Sequence, residues 1–209
     1  MPAELDTAQL LAIAAALGWA SGLRLYAVVF LTGLAGYLGW VDLPGGLQML
    51  QGPVVLVASG FMLCVEFFAD KIPALDTLWD LTHTLVRIPV GAVLAASVFG
   101  ADSSSLALAA GLLGGTLAAT SHVAKTTTRA AANTSPEPFS NIALSLFGDA
   151  LVPCALWLSW THPTVFAVLL VVMLLAMVAV IWILSRFLRP IINRVVQWFC
   201  AGLISTDTA

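Results

Sequence analysis

Glu66, Asp70, Lys71, Asp76, Asp80, His83 and Arg87 crowd into the 22-residue stretch EFFADKIPALDTLWDLTHTLVR, flanked on both sides by long apolar runs in a chain only 9% charged overall. Ionisable groups in or beside a membrane span are costly, face the protein interior and pair with one another, so such a cluster is a functional-site candidate by default. If the segment from Asp76 onward is helical, Asp76, Asp80, His83 and Arg87 stand at i, i+4, i+7 and i+11 and share one face. Glu66 and Asp70, four apart at the end of the preceding apolar run, share a face as well. Lys71-Ile72-Pro73 joins the two stripes as a turn, because the proline ends the first helix. Further on, His122, Lys125 and Arg129 continue one helical face, and Asn141, Ser145 and Asp149 form a third stripe at i, i+4 and i+8.

With Arg24 added, the acids Glu66, Asp70, Asp76, Asp80 and Asp149 meet the bases Arg24, Lys71, Arg87, Lys125 and Arg129, five against five. Two readings of this balance stay open. Either the groups form a neutral network that fixes helix packing, or they line a cytoplasm-facing polar cavity for an ion, a proton or a small anionic solute. A purely structural seam is more cheaply built from small residues and Ser or Thr, since buried ion pairs seldom gain net stability. The cavity is therefore the expectation, with a transporter, channel-like or permease-like role, and a structural or assembly protein is the alternative. Catalysis is the weaker idea. His83 and His122 could act as general bases, and Asp80-x-x-His83 has the i, i+3 spacing of some metal-binding helices, yet no second copy accompanies it. HExxH, GxSxG and Walker loops are missing, so no catalytic residue, metal or cofactor is expected.

These stripes must be positioned by helices in a bilayer. The chain is 60% hydrophobic and 9% charged with a mean hydropathy of +1.01, against roughly 25% charged for a soluble domain. The expected fold is an all-α polytopic membrane bundle of about six spans, since each needs roughly 20 apolar residues. Residues 1–186 form one transmembrane domain and 187–209 a cytoplasmic interfacial tail. MPAELDTAQLL has two acids and no base ahead of its apolar run, the wrong sign for a cleaved signal peptide, so the first helix is expected to be retained. A net charge of -3 leaves no basic surface for nucleic acid. Cys64, Cys154 and Cys200 are isolated and read as small apolar fillers.

Residues 8–39 are apolar except for Arg24, and as one helix they would run roughly 48 Å, too long for a ~30 Å hydrocarbon core. A break is therefore expected near Ser21-Gly22, between a broken or re-entrant segment over 8–20 and a span over 22–39. Arg24 beside that break is either a snorkelling anchor or a buried cation facing the cluster. WVDLPGGLQMLQG reads as a surface-skimming loop. Further spans follow at 53–70, 76–99 with a kink at Pro89, 105–129, 136–160 and 163–185, with tight links at Asp102–Ser105 and NTSPEPFSN. The tail holds Arg186, Arg189, Arg194 and Trp198, an interfacial pattern. With these spans all eight bases fall on one side, which places both termini in the cytoplasm. Gly111, Gly115 and Ala118 permit close helix contact, and a homodimer is expected on that face, alongside membrane lipid as a partner. Asp149, well inside its span, is expected to pair with Arg24 or Arg87.

GLRLY at the first break, EFFADKIPALD, SHVAKTTTRA and SPEPFSNIALSLFGD together resemble an uncharacterised bacterial family of multi-pass membrane proteins, the domain-of-unknown-function family numbered four-one-two-six, over about residues 8–185. The resemblance implies a bacterial inner-membrane location and supplies no activity. The family's position before Asp149 is often acidic, whereas this chain has Gly148, which weakens any two-carboxylate mechanism.

Overall fold

The computed structural model describes residues 5–72, 75–100, 103–134 and 138–206, with side chains for 139–190 of the last stretch, and every element in it is helical. The order is α1 (Thr7–Tyr37), a short 3-10 helix (Gly45–Gln51), α2 (Pro53–Ala69), α3 (Leu75–Ser97), α4 (Ser104–Ala132), α5 (Pro138–Thr161) and α6 (Pro163–Thr206). The turns expected at Pro73 and Pro136, the acidic link at Asp102, and the side chains of Arg194, Trp198 and Cys200 lie outside the described residues. By length and apolarity α1, α4, α5 and Pro163–Pro190 of α6 can each cross a bilayer, and the 3-10 helix with α2, bent by 71°, can do so as a pair. α3 is not among them, because it carries Asp76, Asp80 and Arg87.

Asp6 starts α1, its Oδ1 accepting from the Gln9 backbone N–H at 2.6 Å. The helix then breaks at Arg24 (φ -145°, ψ 79°), three residues after the expected Ser21. The break is a reversal. Leu5 and Leu10 line the same surface cavity as Gly36 and Gly39, although a straight helix would hold Leu10 and Gly36 roughly 39 Å apart. α1 is thus a helical hairpin whose arms, 7–23 and 25–37, run in opposite directions with Arg24 at the tip. Ser21 and Gly22 could not host the bend because they are committed to packing. A Cβ on Gly22 would overlap the Ala118 carbonyl and Ser121 Oγ, and one on Gly18 would overlap the Gly114 backbone.

Close approach of α1 and α4 through Gly18, Gly22, Gly114 and Ala118 makes α1 the buried axis of the bundle, with Ile13, Ala16, Leu17, Trp19 and Ala20 fully enclosed. The small face of α4 is spent inside the chain in the same way. Gly111 and Gly115 lie against Ala92 and Ala96 of α3, so this face is not free for a second copy. Large apolar side chains instead cover the outer surfaces of α2, α5 and α6, among them Val54, Phe61, Phe147, Trp157, Val168 and Leu175, as a bilayer requires.

The hairpin changes the chain's ends. Gln9 Nε2 donates to the Trp160 carbonyl at the far end of α5, and Gly46 sits on Ser97 at the end of α3. The start of α1 therefore lies at the same end of the bundle as the 39–52 connection. Met173 to Val180 of α6 descend past Arg24 and Arg129 toward the other end. The reversal at Arg24 adds a direction change, so the start of α1 lies at the end of the bundle opposite the one toward which α6 descends. α6 also runs unbroken through Pro190 to Thr206, so the expected tail continues the last helix.

Candidate functional site

Three helix ends converge on the tip of the α1 hairpin: the end of α2, the start of α3 and the end of α4, with the first half of α5 alongside. Arg24, buried to 2% exposure, ties the end of α2 to α5. Its Nη1 meets Asp70 Oδ2 at 2.6 Å, and its Nη2 meets Asp149 Oδ1 at 2.8 Å. Nη2 also donates to Ser145 Oγ at 2.8 Å and the Ser145 carbonyl at 3.0 Å. Lys71 reaches the other oxygen of Asp149 at 3.0 Å and lies over the Phe67 ring. Asp149 thus pairs with Arg24 and Lys71, while Arg87 is committed elsewhere.

Asp70, fully buried at the C-cap of α2, is the second hub. Its Oδ2 receives Arg24, Lys125 at 3.1 Å and Arg129 at 3.3 Å. The same cations satisfy carbonyls that helix ends leave open. Lys125 donates to the Leu23 carbonyl exposed by the α1 break at 3.1 Å, and Arg129 donates to the Asp70 carbonyl at 3.0 Å. Arg87 is the third hub, at 0% exposure. Its Nη2 donates to Glu66 Oε1 and its Nη1 to Asp80 Oδ1, both at 2.7 Å. Asp80 also takes Lys125 at 2.9 Å, and Asp76 takes Arg129 at 3.3 Å.

All five acids and five bases singled out from the sequence fall in this one network. They pair directly, at 2.6 to 3.3 Å, rather than across a polar cavity. Beside the network lies a cavity of about 400 Å³ whose walls are mostly apolar, and of the candidate residues Arg24, Lys125 and Arg129 line it. On the expected path past Glu66, Arg87 and Asp149, Glu66 and Arg87 meet directly at 2.7 Å. Some polar atoms still lack partners among the described residues: Glu66 Oε2, Asp80 Oδ2, Arg87 Nε and Trp79 Nε1 are buried without one.

The remaining candidates divide. His122 is buried between Thr84 Oγ1 at 2.8 Å and Arg87 Nη1 at 3.4 Å, so it touches the network. His83 does not; it stacks on Trp79 with ring centroids 4.0 Å apart and faces Tyr26 Oη at 3.2 Å. Asn141 bonds Asn133, whose own amide donates to Thr77, outside the ion pairs. Sequence reasoning missed Thr84, Ser121 and Tyr26. Thr84 had a signal, standing four residues after Asp80 on the same stripe. Ser121, which donates to the Trp19 carbonyl at 2.6 Å, and Tyr26 had none. Among the described residues no three His, Cys, Asp or Glu converge as a metal site.

Residues 11–183 match the family model described as Domain of unknown function (DUF4126). No curated protein and no solved structure matches the chain.

Proposed function

We propose that this chain, which belongs to the DUF4126 family and draws no activity from that membership, is a small proton-coupled membrane transport protein whose coupling site is the ion network at the tip of the α1 hairpin. The observation that carries the reading is the pair of buried carboxylate oxygens without a hydrogen bond among the described residues, Glu66 Oε2 and Asp80 Oδ2, the latter 4.0 Å from Arg129 Nε, on the two acids that share Arg87. A seam made only to hold helices would satisfy both. This chain already has such a seam, in the glycines of α1 and α4, so packing alone does not call for ten charges. A buried carboxylate oxygen without a hydrogen bond, on an acid whose partner Arg87 also meets His122 and through it the Thr84 hydroxyl, is instead a place where a proton can be held and passed.

In this reading the end of the bundle that holds Arg24, Lys71, Arg87, Lys125, Arg129, Arg186 and Arg189 faces the cytoplasm of a bacterial inner membrane, following the bias of Lys and Arg to that side. Helices α2 to α6 cross, and the α1 hairpin enters from the opposite face, with its tip meeting the basic end. The test is proton flux into liposomes loaded with a pH-sensitive dye under a potassium-valinomycin potential. Wild type should acidify the lumen, and Glu66→Gln and Asp80→Asn should each abolish flux. Wild-type liposomes no leakier than protein-free ones would overturn the proposal. Direct pairing at 2.6 to 3.3 Å favours a second reading, a purely structural network. Under that reading the substitutions alter only thermal stability.

A further inference from the structure

We infer that the cavity between α1, α4, α5 and α6 is a binding site for one acyl chain and the anionic headgroup of an acidic membrane lipid, drawn from the leaflet at the basic end of the bundle. The cavity's about 400 Å³ falls in the range of sites that hold a drug-sized ligand. Every charged residue in its wall is a cation: Arg24, Lys125 and Arg129. Their acids stand behind them. Asp70, which all three share, Asp149 on Arg24, Asp80 on Lys125 and Asp76 on Arg129 do not line the cavity. The surface nearest an occupant is therefore positive.

Arg24 keeps one nitrogen free. Nη1 and Nη2 of Arg24 are used by Asp70, Asp149 and Ser145, whereas its Nε has no hydrogen-bond partner among the described residues. That nitrogen faces the cavity wall at Gly148, where an added Cβ would come within 3.8 Å of it and meet nothing closer. The polarity also runs lengthwise. From Ala124 to Arg129, α4 descends toward the basic end, while Leu151 and Met173 mark the apolar end of the cavity toward the bundle's middle. An amphiphile placed with its anion on the cations and its chain toward Leu151 has the orientation of a lipid in that leaflet. A cation would meet three like charges, and a hydrophilic anion would leave the apolar wall of Phe147, Met173 and Met177 unused. The methionines suit a chain of variable shape.

The inference does not rest on proton coupling, and its test reads no flux. The full chain is reconstituted in nanodiscs of equal parts phosphatidylglycerol and phosphatidylcholine, released, and examined by native mass spectrometry for lipid that stays bound. One phosphatidylglycerol per chain should remain, with a preference over phosphatidylcholine of roughly tenfold or more, the order expected when a few Lys and Arg meet one anionic head. Gly148→Leu fills the cavity without removing a charge and should abolish retention while leaving the thermal midpoint unchanged. Met173→Trp narrows it from α6 and should do the same. Oleate added before release should compete, and methyl oleate should not. Equal retention of the two phospholipids, or retention undiminished in both variants, would place the lipid in a non-specific annulus and overturn the inference. Capture of oleate without phosphatidylglycerol would overturn the assignment to a bilayer phospholipid.

Discussion

At the scale of single residues the ion pairs are not equivalent. Glu66 has one side-chain partner, Arg87, at 2.7 Å, and both are fully buried. Arg87 has two carboxylate partners, and Asp80 keeps Lys125 if Arg87 is lost. Removing the cation is therefore worse than removing the acid, because Arg87→Gln strands Glu66 whereas Glu66→Gln leaves Arg87 on Asp80. Breaking a buried pair by removing one partner costs about 3–5 kcal/mol, so Arg87→Gln should approach that range and Glu66→Gln fall below it. Joining the two should recover much of the loss, and thermal unfolding of the four proteins in one detergent gives the coupling directly. Asp149→Asn should be milder than either. Asp149 is 20% exposed and shares its cations, and Arg24 retains Asp70 at 2.6 Å. Additive unfolding for Glu66 and Arg87 would show that the short distance carries no energetic pairing.

At the scale of elements, the hairpin at Arg24 and the α1–α4 seam depend on each other. A tight seam holds 7–23 straight through Gly18 and Gly22, so the chain turns at the next position, where cations and acids can satisfy the freed backbone groups. Gly22→Ala forces a Cβ into the Ala118 carbonyl and Ser121 Oγ and should cost about 1–3 kcal/mol, as overpacking does. Gly45→Ala, with nothing within 4 Å, is the control and should leave the midpoint unchanged. Equal midpoints for both variants would mean that α1 and α4 are not in close contact. This seam also explains what the sequence could and could not tell. Length alone demanded a break in residues 8–39, and i, i+4 spacing placed Asp76, Asp80 and Arg87 on one face. The exact residue of the break was hidden, since Gly22 looks weak in isolation and is held only by a helix about a hundred residues away. The small face of α4 reads the same whether its partner is α3 or a second chain, so its assignment to a dimer was underdetermined. Likewise five acids and five bases are visible in a sequence, but whether they touch or stand apart depends on packing that spacing does not encode.

At the scale of the whole molecule, the fold-back gives the bundle an asymmetry that labelling can read. α1 starts and finishes at the end that carries the 3-10 helix and the α5–α6 link, so Thr7, Gly45 and Thr161 lie together, whereas Thr134 follows α4 at the basic end. A straight α1 of 31 residues would cross, placing Thr7 with Thr134 instead. The two arrangements make opposite statements about one residue. Single cysteines at Thr7, Gly45 and Thr134, in a chain whose own three cysteines are replaced by alanine, should be distinguished by a membrane-impermeant maleimide in intact spheroplasts. With Thr134 facing the cytoplasm as the basic bias requires, Thr7 and Gly45 should label from outside and Thr134 only after permeabilisation. Thr7 labelling together with Thr134 would mean that the arm 7–23 does not reverse. Arg24 would then be a mid-helix residue rather than the tip of a hairpin, and the cations around Asp70 would lose the geometric reason for their convergence.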